Sequence, residues 1–442
     1  MAPPPPQKPV ALETRWRAAA PDLKSFIRRL TASLEAEEDG QGLRRRKRKA
    51  ADQEKFARAV EAICCNLAVV ALTFGEEGCE RELAVWRGSY ASQISAVYGA
   101  HFIRVALLME GRGLLTLTRG YSHSKRHRAV STIRSTALYW KEARAVTSDC
   151  WDALSLEDHR EMIVVGNGDD GERILPPQDW LKQADGDMQR INEYLKSIPL
   201  AVAGREVLPP RDMPNKLAIT LTTPHHRTVR RIFKGSVSAG GRLYDGFWET
   251  MRREDRFPLL TIDGERVVTA DYGQLFLRLA YAIDGKVPPP GDLYDLTGVD
   301  HERPDWPALR TGRKKILSAM LLMKSSLKQW PGGSPEEQAA VRGCFPPGTK
   351  PAHIVSEIKA RHSAIAASWF EKGRGLELHR LESEILIAVM LKLIGLGIRG
   401  ALPLHDCVIV ARSDGEVARA VMLEEALRLT GADIPVEISS GD

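Results

Sequence analysis

Two aspartates lie at positions where a carboxylate can do chemistry. Asp271 follows the apolar run 267–270 and precedes a helical pattern, which places it at the end of a strand. Asp406 lies between two short apolar runs, as in the turn of a β-hairpin. A charged side chain beside a hydrophobic core is costly unless it is paired or bound to a cation, so the two acids together indicate a metal site.

A carboxylate pair of this kind can hold two Mg²⁺ ions, and Mn²⁺ is an alternative ion. Two such ions about 4 Å apart activate a 3′-hydroxyl group and stabilise a departing pyrophosphate. Each acid alone is weak evidence, because an aspartate at a strand end is more often a helix cap. Nucleotidyl transfer therefore needs support from a third element that binds a triphosphate.

A basic segment supplies that support. The chain between Trp306 and Trp330 contains several lysines and arginines and no acid. Arg310 and Lys314 are four residues apart and project from one face of a predicted helix, where a guanidinium fork and an ammonium suit a triphosphate. A solvated amphipathic helix is the alternative interpretation, but such a surface normally mixes both signs of charge.

The elements that position these residues are short strands and helices in mixed order. They follow one another without a regular β-α-β repeat and without a glycine-rich dinucleotide-binding loop, which favours an α+β fold. The pattern from 51 to 205 is mainly helical, and the strands are concentrated in 206–442. We therefore expect a helical accessory region, 51–205, followed by the region that carries the chemistry.

The net charge of the chain is confined to one segment. The formal charge is +6, and residues 1–50 alone hold six more basic than acidic residues, so the remainder is formally neutral. The proline-rich start and the basic run 44–49 predict a mostly disordered arm with a short helix near 23–34. That run could contact nucleic acid or serve as a nuclear signal, and a solvated tail is an equal alternative.

The remaining composition predicts an ordinary soluble protein. No apolar run is long enough to span a membrane, since the longest, near 63–74, is broken by Asn66. The six cysteines form no C-x-x-C pair and show no zinc-site spacing, so we expect reduced thiols in an intracellular, cytoplasmic protein.

The order and spacing of these motifs resemble the palm and fingers of family A DNA polymerases. The segment 271–278, DYGQLFLR, resembles the first palm motif of that family, D-Y-S-Q-I-E-L-R. Residues 310–314 resemble the R-x-x-x-K start of its fingers helix, and 405–406 resemble the second palm motif, H-D-E. The segment 241–244 resembles its G-R-L-S, and 433–438 its last palm strand.

The resemblance covers roughly residues 190–442. Segments 231–233, 240–244 and 381–384 also resemble uncharacterised polymerase-like proteins of phages and mobile elements. The family implies a right-hand palm with an antiparallel sheet and helical fingers at about 300–375, a thumb-like role for the preceding helical region, and a bacterial or phage-encoded, nucleoid-associated protein. No acidic D-x-E segment in the N-terminal half resembles that of a proofreading exonuclease, so we expect no such activity.

The resemblance also implies roles for individual residues. It implies a DNA polymerase acting on a DNA primer-template and nucleoside triphosphates, with no membrane partner. Asp271, Asp406 and the backbone at Tyr272 would hold two Mg²⁺ ions. Nucleotide binding would fall to Arg310, Lys314 or Lys315, Phe276 and Gln274, and primer-template contacts to Arg242, His405 and Arg278.

Two departures from the family leave alternatives open. Phe276 stands where the family has its sugar-selecting glutamate, and Cys407 stands where it has an acid after His-Asp. A ring can exclude a 2′-hydroxyl by bulk but cannot accept a hydrogen bond from it, so the choice between deoxy- and ribonucleotides stays open. A single-subunit RNA polymerase or primase-like enzyme and a non-catalytic nucleic-acid-binding protein are the alternatives, and the oligomeric state is open.

Overall fold

The computed structural model describes residues 8–44, 46–85, 97–122, 128–147, 151–158, 160–168, 171–203 and 217–441. The chain forms two compact units, the first made of 1–160 and 204–226 and the second of 161–203 and 227–442. The basic residue Arg45 and the opening prolines fall outside the described residues.

The first unit combines helices with short strands. Its helices are α1 (Pro21–Gly40), α2 (Ala50–Phe74), α3 (Ala100–Gly111) and α4 (Ala137–Thr147). Its strands are β1 (Val10–Ala11), β2 (Trp16–Ala18), β3 (Leu83–Val85), β4 (Leu115–Thr118), β5 (Tyr121–Ser122), β6 (Arg128–Ala129), β7 (Ser131–Ser135) and β8 (Leu154–Leu156). They form a sheet of order β1-β3-β7-β4 and the pairs β2-β8 and β5-β6.

Helix α2 forms the centre of the first unit. With the turn that follows it, α2 is long and apolar enough to cross a membrane by length and composition, but 67% of its most apolar window is buried inside the protein. Its one buried amide fits this position, because the Asn66 side chain accepts from the Glu13 N–H at 2.8 Å and donates to the Glu13 carbonyl at 2.8 Å. The feature is that of a core helix.

Residues 8–44 and 46–50 are folded, in contrast to the disordered arm that the composition predicts. Helix α1 is 20 residues long, and Leu23, Phe26, Leu30 and Leu34 are buried in the core of the first unit. Because these apolar residues recur at intervals of three and four, they form one stripe that needs a partner surface. Because charged residues separate the apolar ones, the overall composition of the segment does not indicate this apolar stripe.

Part of the basic run also folds back onto α1. Arg48 pairs with Glu35 and Glu38, and its guanidinium lies 3.8 Å from the centre of the Phe56 ring. Arg46 and Lys47 are exposed. The acids at the end of α1 therefore neutralise part of the charge that the sequence assigns to a free arm.

The second unit contains the predicted site. Its helices are α5 (Gln178–Ser197), α6 (Phe247–Thr250), α7 (Arg253–Leu259), α8 (Leu275–Ile283), α9 (Trp306–Leu322), α10 (Pro335–Arg342), α11 (Pro351–Arg361), α12 (Ser363–Trp369), α13 (Gly375–Gly395) and α14 (Gly415–Thr430). Its strands are β9 (Ile163–Gly166), β10 (Leu200–Val202), β11 (Arg230–Lys234), β12 (Ser236–Tyr244), β13 (Leu260–Ile262), β14 (Glu265–Tyr272), β15 (Ala401–Leu404), β16 (Cys407–Ala411) and β17 (Val436–Ser439).

A six-stranded antiparallel sheet forms the framework of this unit. Its order is β10-β13-β14-β16-β15, and β17 also pairs with β14. A second sheet, β12-β11-β9, packs its β12 strand along α13. The predicted boundary at 205/206 lies later than the observed one, because β9 and β10 pair with β11 and β13 of this unit.

The mixed helix and sheet content and the mainly antiparallel pairing give an α+β fold, as predicted. The five cysteines in the described parts of the chain are free thiols: Cys64, Cys65, Cys79, Cys344 and Cys407.

Candidate active site

The two predicted aspartates lie close together, one at the end of strand β14 and the other in the turn before strand β16. Asp271 is the second-last residue of β14 and pairs across the ladder with Cys407, the first residue of β16. Asp406 immediately precedes Cys407 in the β15-β16 turn, and its carbonyl accepts a hydrogen bond from the Tyr272 N–H at 3.1 Å. The hairpin therefore brings the two carboxylate-bearing segments together, as the sequence predicts.

The Asp271 carboxylate is held in an unfavourable environment. Its Oδ1 atom is buried and has no hydrogen-bond partner among the described residues. Burial, and after it the nearby charge of Asp406, raise the pKa of Asp271 to about 7. A bound cation would remove both penalties, because it replaces lost solvation and separates two like charges.

The donor set fits Mg²⁺. Within the described ranges there is no group of three or more His, Cys, Asp or Glu side chains arranged to hold a metal ion. Mg²⁺ is commonly bound by only one or two carboxylates, with water and substrate phosphate oxygens completing its shell. The Asp271 and Asp406 pair matches that mode, which also suits Mn²⁺, and does not match a closed structural metal site.

The ladder places two further side chains beside Asp271. Cys407 on β16 and Glu437 on β17 both lie directly opposite it, so the three side chains point to the same face of the sheet. Burial and the two aspartates raise the pKa of the Cys407 thiol, which stays protonated and adds no charge. Position 407 is therefore a neutral group beside the two aspartates.

Two helices carry positively charged side chains that interact electrostatically with Asp271. Lys314 on α9 and Arg253 on α7 both lower the pKa of Asp271 against the larger effect of burial. Lys314 and Lys315 are both exposed, and Arg313, which immediately precedes them, is buried in an ion pair with Asp300 at 2.8 Å. That ion pair connects α9 to the segment at Asp300, and the effect of Lys314 on the pKa of Asp271 indicates that its ammonium group lies near the acids.

Arg310 belongs to the same end of α9. Its Nε donates to Asp292 at 2.6 Å, and its guanidinium lies 5.1 Å from the centre of the Tyr294 ring. Burial raises the pKa of Tyr294 to about 12, and Asp406 contributes to that rise, so this ring lies near the carboxylate pair. Arg310 thus stands at the edge of the site with one carboxylate partner that a triphosphate would have to share or displace.

Arg242 on β12 is held by an acid that the sequence-based assignment omits. Its Nε and Nη2 donate to the two carboxylate oxygens of Glu382 on α13, at 2.6 and 3.0 Å. Glu382 is 2% exposed, and burial raises its pKa to about 7, with Asp406 and Asp271 adding to the rise. A third carboxylate therefore lies close to the pair, neutralised by Arg242.

Phe276 and His405 both lie beside this group. The Phe276 ring is 5.1 Å from the His379 ring and 5.4 Å from the Arg242 guanidinium. His405 has a positive φ of 56° and a buried Nδ1 with no partner in the described part of the chain. Burial and the charge of Arg242 lower the pKa of His405, which is therefore neutral at pH 7. Its ring packs against Tyr244, with 6.1 Å between ring centres.

Gln274 and Arg278 have structural partners. The Gln274 side-chain oxygen accepts from Arg278 Nη2 at 3.2 Å and from the Leu293 N–H at 3.3 Å. Arg278 also donates to the Asp433 carbonyl at 3.5 Å. Gln274 therefore connects the start of α8 to the loop before Tyr294. The nucleotide-binding role of Gln274 and the primer-template role of Arg278 remain predictions.

Sequence reasoning missed Glu382, His379, Arg253 and Glu437 as members of this group. One signal was present: Leu378, Glu382, Ile385 and Leu386 share one face of a helix, and an acid within an apolar stripe has to have a partner. Glu437 and Arg253 give no such signal, because only strand pairing and the packing of α7 bring them to Asp271.

Comparison with solved structures yields distant structural likenesses. No protein-family model matches the chain, and no curated protein matches it. The POL domain of Pol1 from M. smegmatis, solved in complex with DNA primer-template and dNTP, aligns at 15% identity with a TM-score of 0.28. The alignment covers 69% of this chain and 60% of that one. A TM-score this low does not establish a common fold, so the function has to be argued from the site itself.

Proposed function

We propose that this protein is a template-directed nucleotidyltransferase that extends a DNA primer at its 3′ end, without a proofreading exonuclease. The observation that carries the proposal is the pair formed by Asp271 on β14 and Asp406 in the turn before the adjacent strand β16, with one buried Asp271 carboxylate oxygen that has no partner among the described residues. The basic face of α9 beside this pair supports it. In this reading the central sheet is a polymerase palm, α9 to α12 belong to helical fingers at about 300–375, and the first unit is an accessory or thumb-like region.

Each side chain then has a defined task. Asp271, Asp406 and the backbone at Tyr272 hold two Mg²⁺ ions, which when bound activate the primer hydroxyl and neutralise the leaving pyrophosphate. Lys314 and Arg310 bind the triphosphate, the ammonium as a point charge and the guanidinium as a fork. Arg242 and the neutral His405 contact the primer end, and Phe276 lies at the sugar of the incoming nucleotide.

Primer extension tests the proposal. The wild-type protein is expected to extend a labelled primer-template with Mg²⁺ or Mn²⁺, and Asp271→Asn and Asp406→Asn are expected to lose at least about a hundredfold in rate, since each removes a metal ligand worth several kcal/mol in the transition state. Glu416→Gln is a matched control, because that exposed acid pairs locally with Arg419 on α14. Undiminished activity in either asparagine variant would refute the two-metal assignment.

The same assay decides between the alternatives. Extension with ribonucleotides in preference to deoxynucleotides would identify an RNA polymerase or primase-like enzyme. A protein that shifts labelled DNA but extends no primer with either ion would be a non-catalytic binding protein.

A second pair of variants tests the triphosphate assignment. Lys314→Ala is expected to raise the KM for nucleotide about tenfold, the value of one charge-assisted contact, whereas Lys315→Ala is expected to leave it nearly unchanged. The two lysines are neighbours on α9 and both are exposed, so each controls for the other's effect on stability. The opposite ranking would assign the triphosphate to Lys315.

A further inference from the structure

Four side chains from three elements form one continuous group, which we call the Arg242 stack. It consists of Glu382 and His379 on α13, Arg242 on β12 and Phe276 on α8. Glu382 binds the Arg242 guanidinium through both carboxylate oxygens. Arg242 lies 5.4 Å from the centre of the Phe276 ring, and the His379 ring lies 5.1 Å from Phe276 at an interplanar angle of 32°.

The geometry of the group limits the freedom of its members. Glu382 accepts from Nε and Nη2 of Arg242, which fixes the guanidinium plane and leaves the second Nη2 hydrogen and the two Nη1 hydrogens for other contacts. His379 and Glu382 are three residues apart, so a single turn of α13 sets the distance between them. Burial and the charge of Arg242 lower the pKa of His379 to about 4, so a neutral ring faces Phe276 at pH 7.

A ring can reject a 2′-hydroxyl group only if it cannot rotate away. Phenylalanine has a broad χ2 well and several χ1 rotamers, so an unsupported ring at position 276 would yield space to a ribose. In this structure Phe276 is contacted by a cation that Glu382 holds in place and by a second ring. We propose that His379 and Glu382 are positioning residues that fix the plane of Phe276 and thereby set the preference for deoxynucleotides over ribonucleotides.

This inference rests on the proposed function, in which Phe276 lies at the sugar. Helix α13 thereby takes part in the choice of sugar, in addition to Phe276 on α8. His379 and Glu382 act through Phe276 and Arg242 and need not touch the nucleotide.

The test is the ratio of kcat/KM for a deoxynucleotide to that for the matching ribonucleotide, measured by primer extension. His379→Leu, which keeps bulk but loses the flat ring, is expected to lower the ratio about tenfold, and His379→Phe is expected to retain it. Glu382→Gln, which breaks the bidentate pair, is expected to lower it as well. Glu384→Gln is the control, since it lies on the same helix and pairs with Arg380.

Each outcome bears on the inference. A ratio unchanged in His379→Leu while Phe276→Ala lowers it would overturn the positioning role and leave the proposed function intact. Failure of the wild-type protein to extend a primer would overturn both. The urea midpoint of each variant shows whether a variant with a lowered ratio is still folded. If His379→Leu does not fold, Glu382→Gln and His379→Met test the positioning role in its place. If Glu384→Gln lowers the deoxynucleotide-to-ribonucleotide ratio as much as His379→Leu does, the effect is general destabilisation and the positioning role is refuted.

Discussion

At the scale of single residues, the Asp271 carboxylate is electrostatically unfavourable in its ionised form. Its ordinary pKa is 3.8, and in the folded chain burial and Asp406 raise it to about 7. The folded state therefore keeps a proton that the unfolded state has already lost, and the stability due to this group falls as pH rises from about 4 to about 7. Above that window the folded protein holds an ionised, poorly solvated carboxylate.

Asp271→Asn is accordingly expected to stabilise the metal-free protein at pH 8 by about 1–3 kcal/mol and to have little effect at pH 4. Urea unfolding of the two proteins in EDTA at both pH values measures this difference. Added Mg²⁺ is expected to narrow the gap at pH 8 by stabilising only the wild-type protein. A gap of the same size at both pH values would contradict the raised pKa.

His405 illustrates a second local compromise. It is the first residue of the two-residue β15-β16 turn and has a φ of 56°, a conformation that glycine adopts without strain. His405→Gly is therefore expected to be more stable than His405→Ala by about 1 kcal/mol, although both lose the ring. Denaturant midpoints give the stability difference.

Both His405 variants are expected to bind primer-template more weakly than the wild-type protein, as a labelled-DNA titration would show. A glycine variant less stable than the alanine variant would show that the backbone at 405 is not strained. Equal DNA binding by all three proteins would remove the imidazole from the primer site.

At the scale of elements, the contact of α13 with β12 assembles one side of the site. The register of β11 and β12 shifts near Phe233, where Phe233 pairs with Gly240 and Ile232 with Arg242. Gly241 is left between them with a φ of 89°, and a Cβ there would lie 2.5 Å from the Phe233 ring and 2.9 Å from Ser383 Oγ. This bulge sets the direction of Arg242 toward Glu382.

Gly241→Ala is therefore expected to destabilise the protein by about 2–4 kcal/mol, combining a strained φ with overpacking. Gly431→Ala is the matched control, because its φ is also positive at 68° but a Cβ there meets nothing within 4 Å. The control is expected to cost only the conformational part, about 1 kcal/mol. Equal losses in chemical denaturation would show that the β12–α13 contact is not tight.

At the scale of the whole molecule, the first 50 residues behave differently from what their charge indicates. A free basic arm would strengthen DNA binding in a salt-dependent way, and its removal would weaken binding more than turnover. Helix α1 instead contributes Leu23, Phe26, Leu30 and Leu34 to the core of the first unit. Deletion of 1–50 would expose that core.

The deletion is therefore expected to abolish cooperative unfolding of the first unit. Leu30→Ala alone is expected to cost about 2–5 kcal/mol, the usual range for a buried leucine. Circular dichroism during urea unfolding reports both effects, and Arg46→Ala with Lys47→Ala serves as a control that removes exposed charge and leaves the core intact. A truncated protein that unfolds like the full chain would restore the disordered-arm interpretation.

The amino-acid sequence determined the local features of this protein. The apolar runs ending at Asp271 and flanking Asp406 predicted the strand end and the hairpin turn, and the structure confirms both as β14 and β15-β16. These features are predictable because hydrophobic periodicity and turn residues act over a few neighbouring positions. The α+β class follows from the same signals.

The tertiary structure alone decided which distant residues meet. Glu382 reaches Arg242 across 140 positions, Glu437 reaches Asp271 through β17, and α1 packs into a core that its charged composition hides. The boundary between the units depended on the pairing of β9 and β10 in the same way. Such contacts are set by strand register and by the need to bury apolar surface or neutralise charge. The sequence pattern shows that a residue needs a partner, but it does not show which distant residue is that partner.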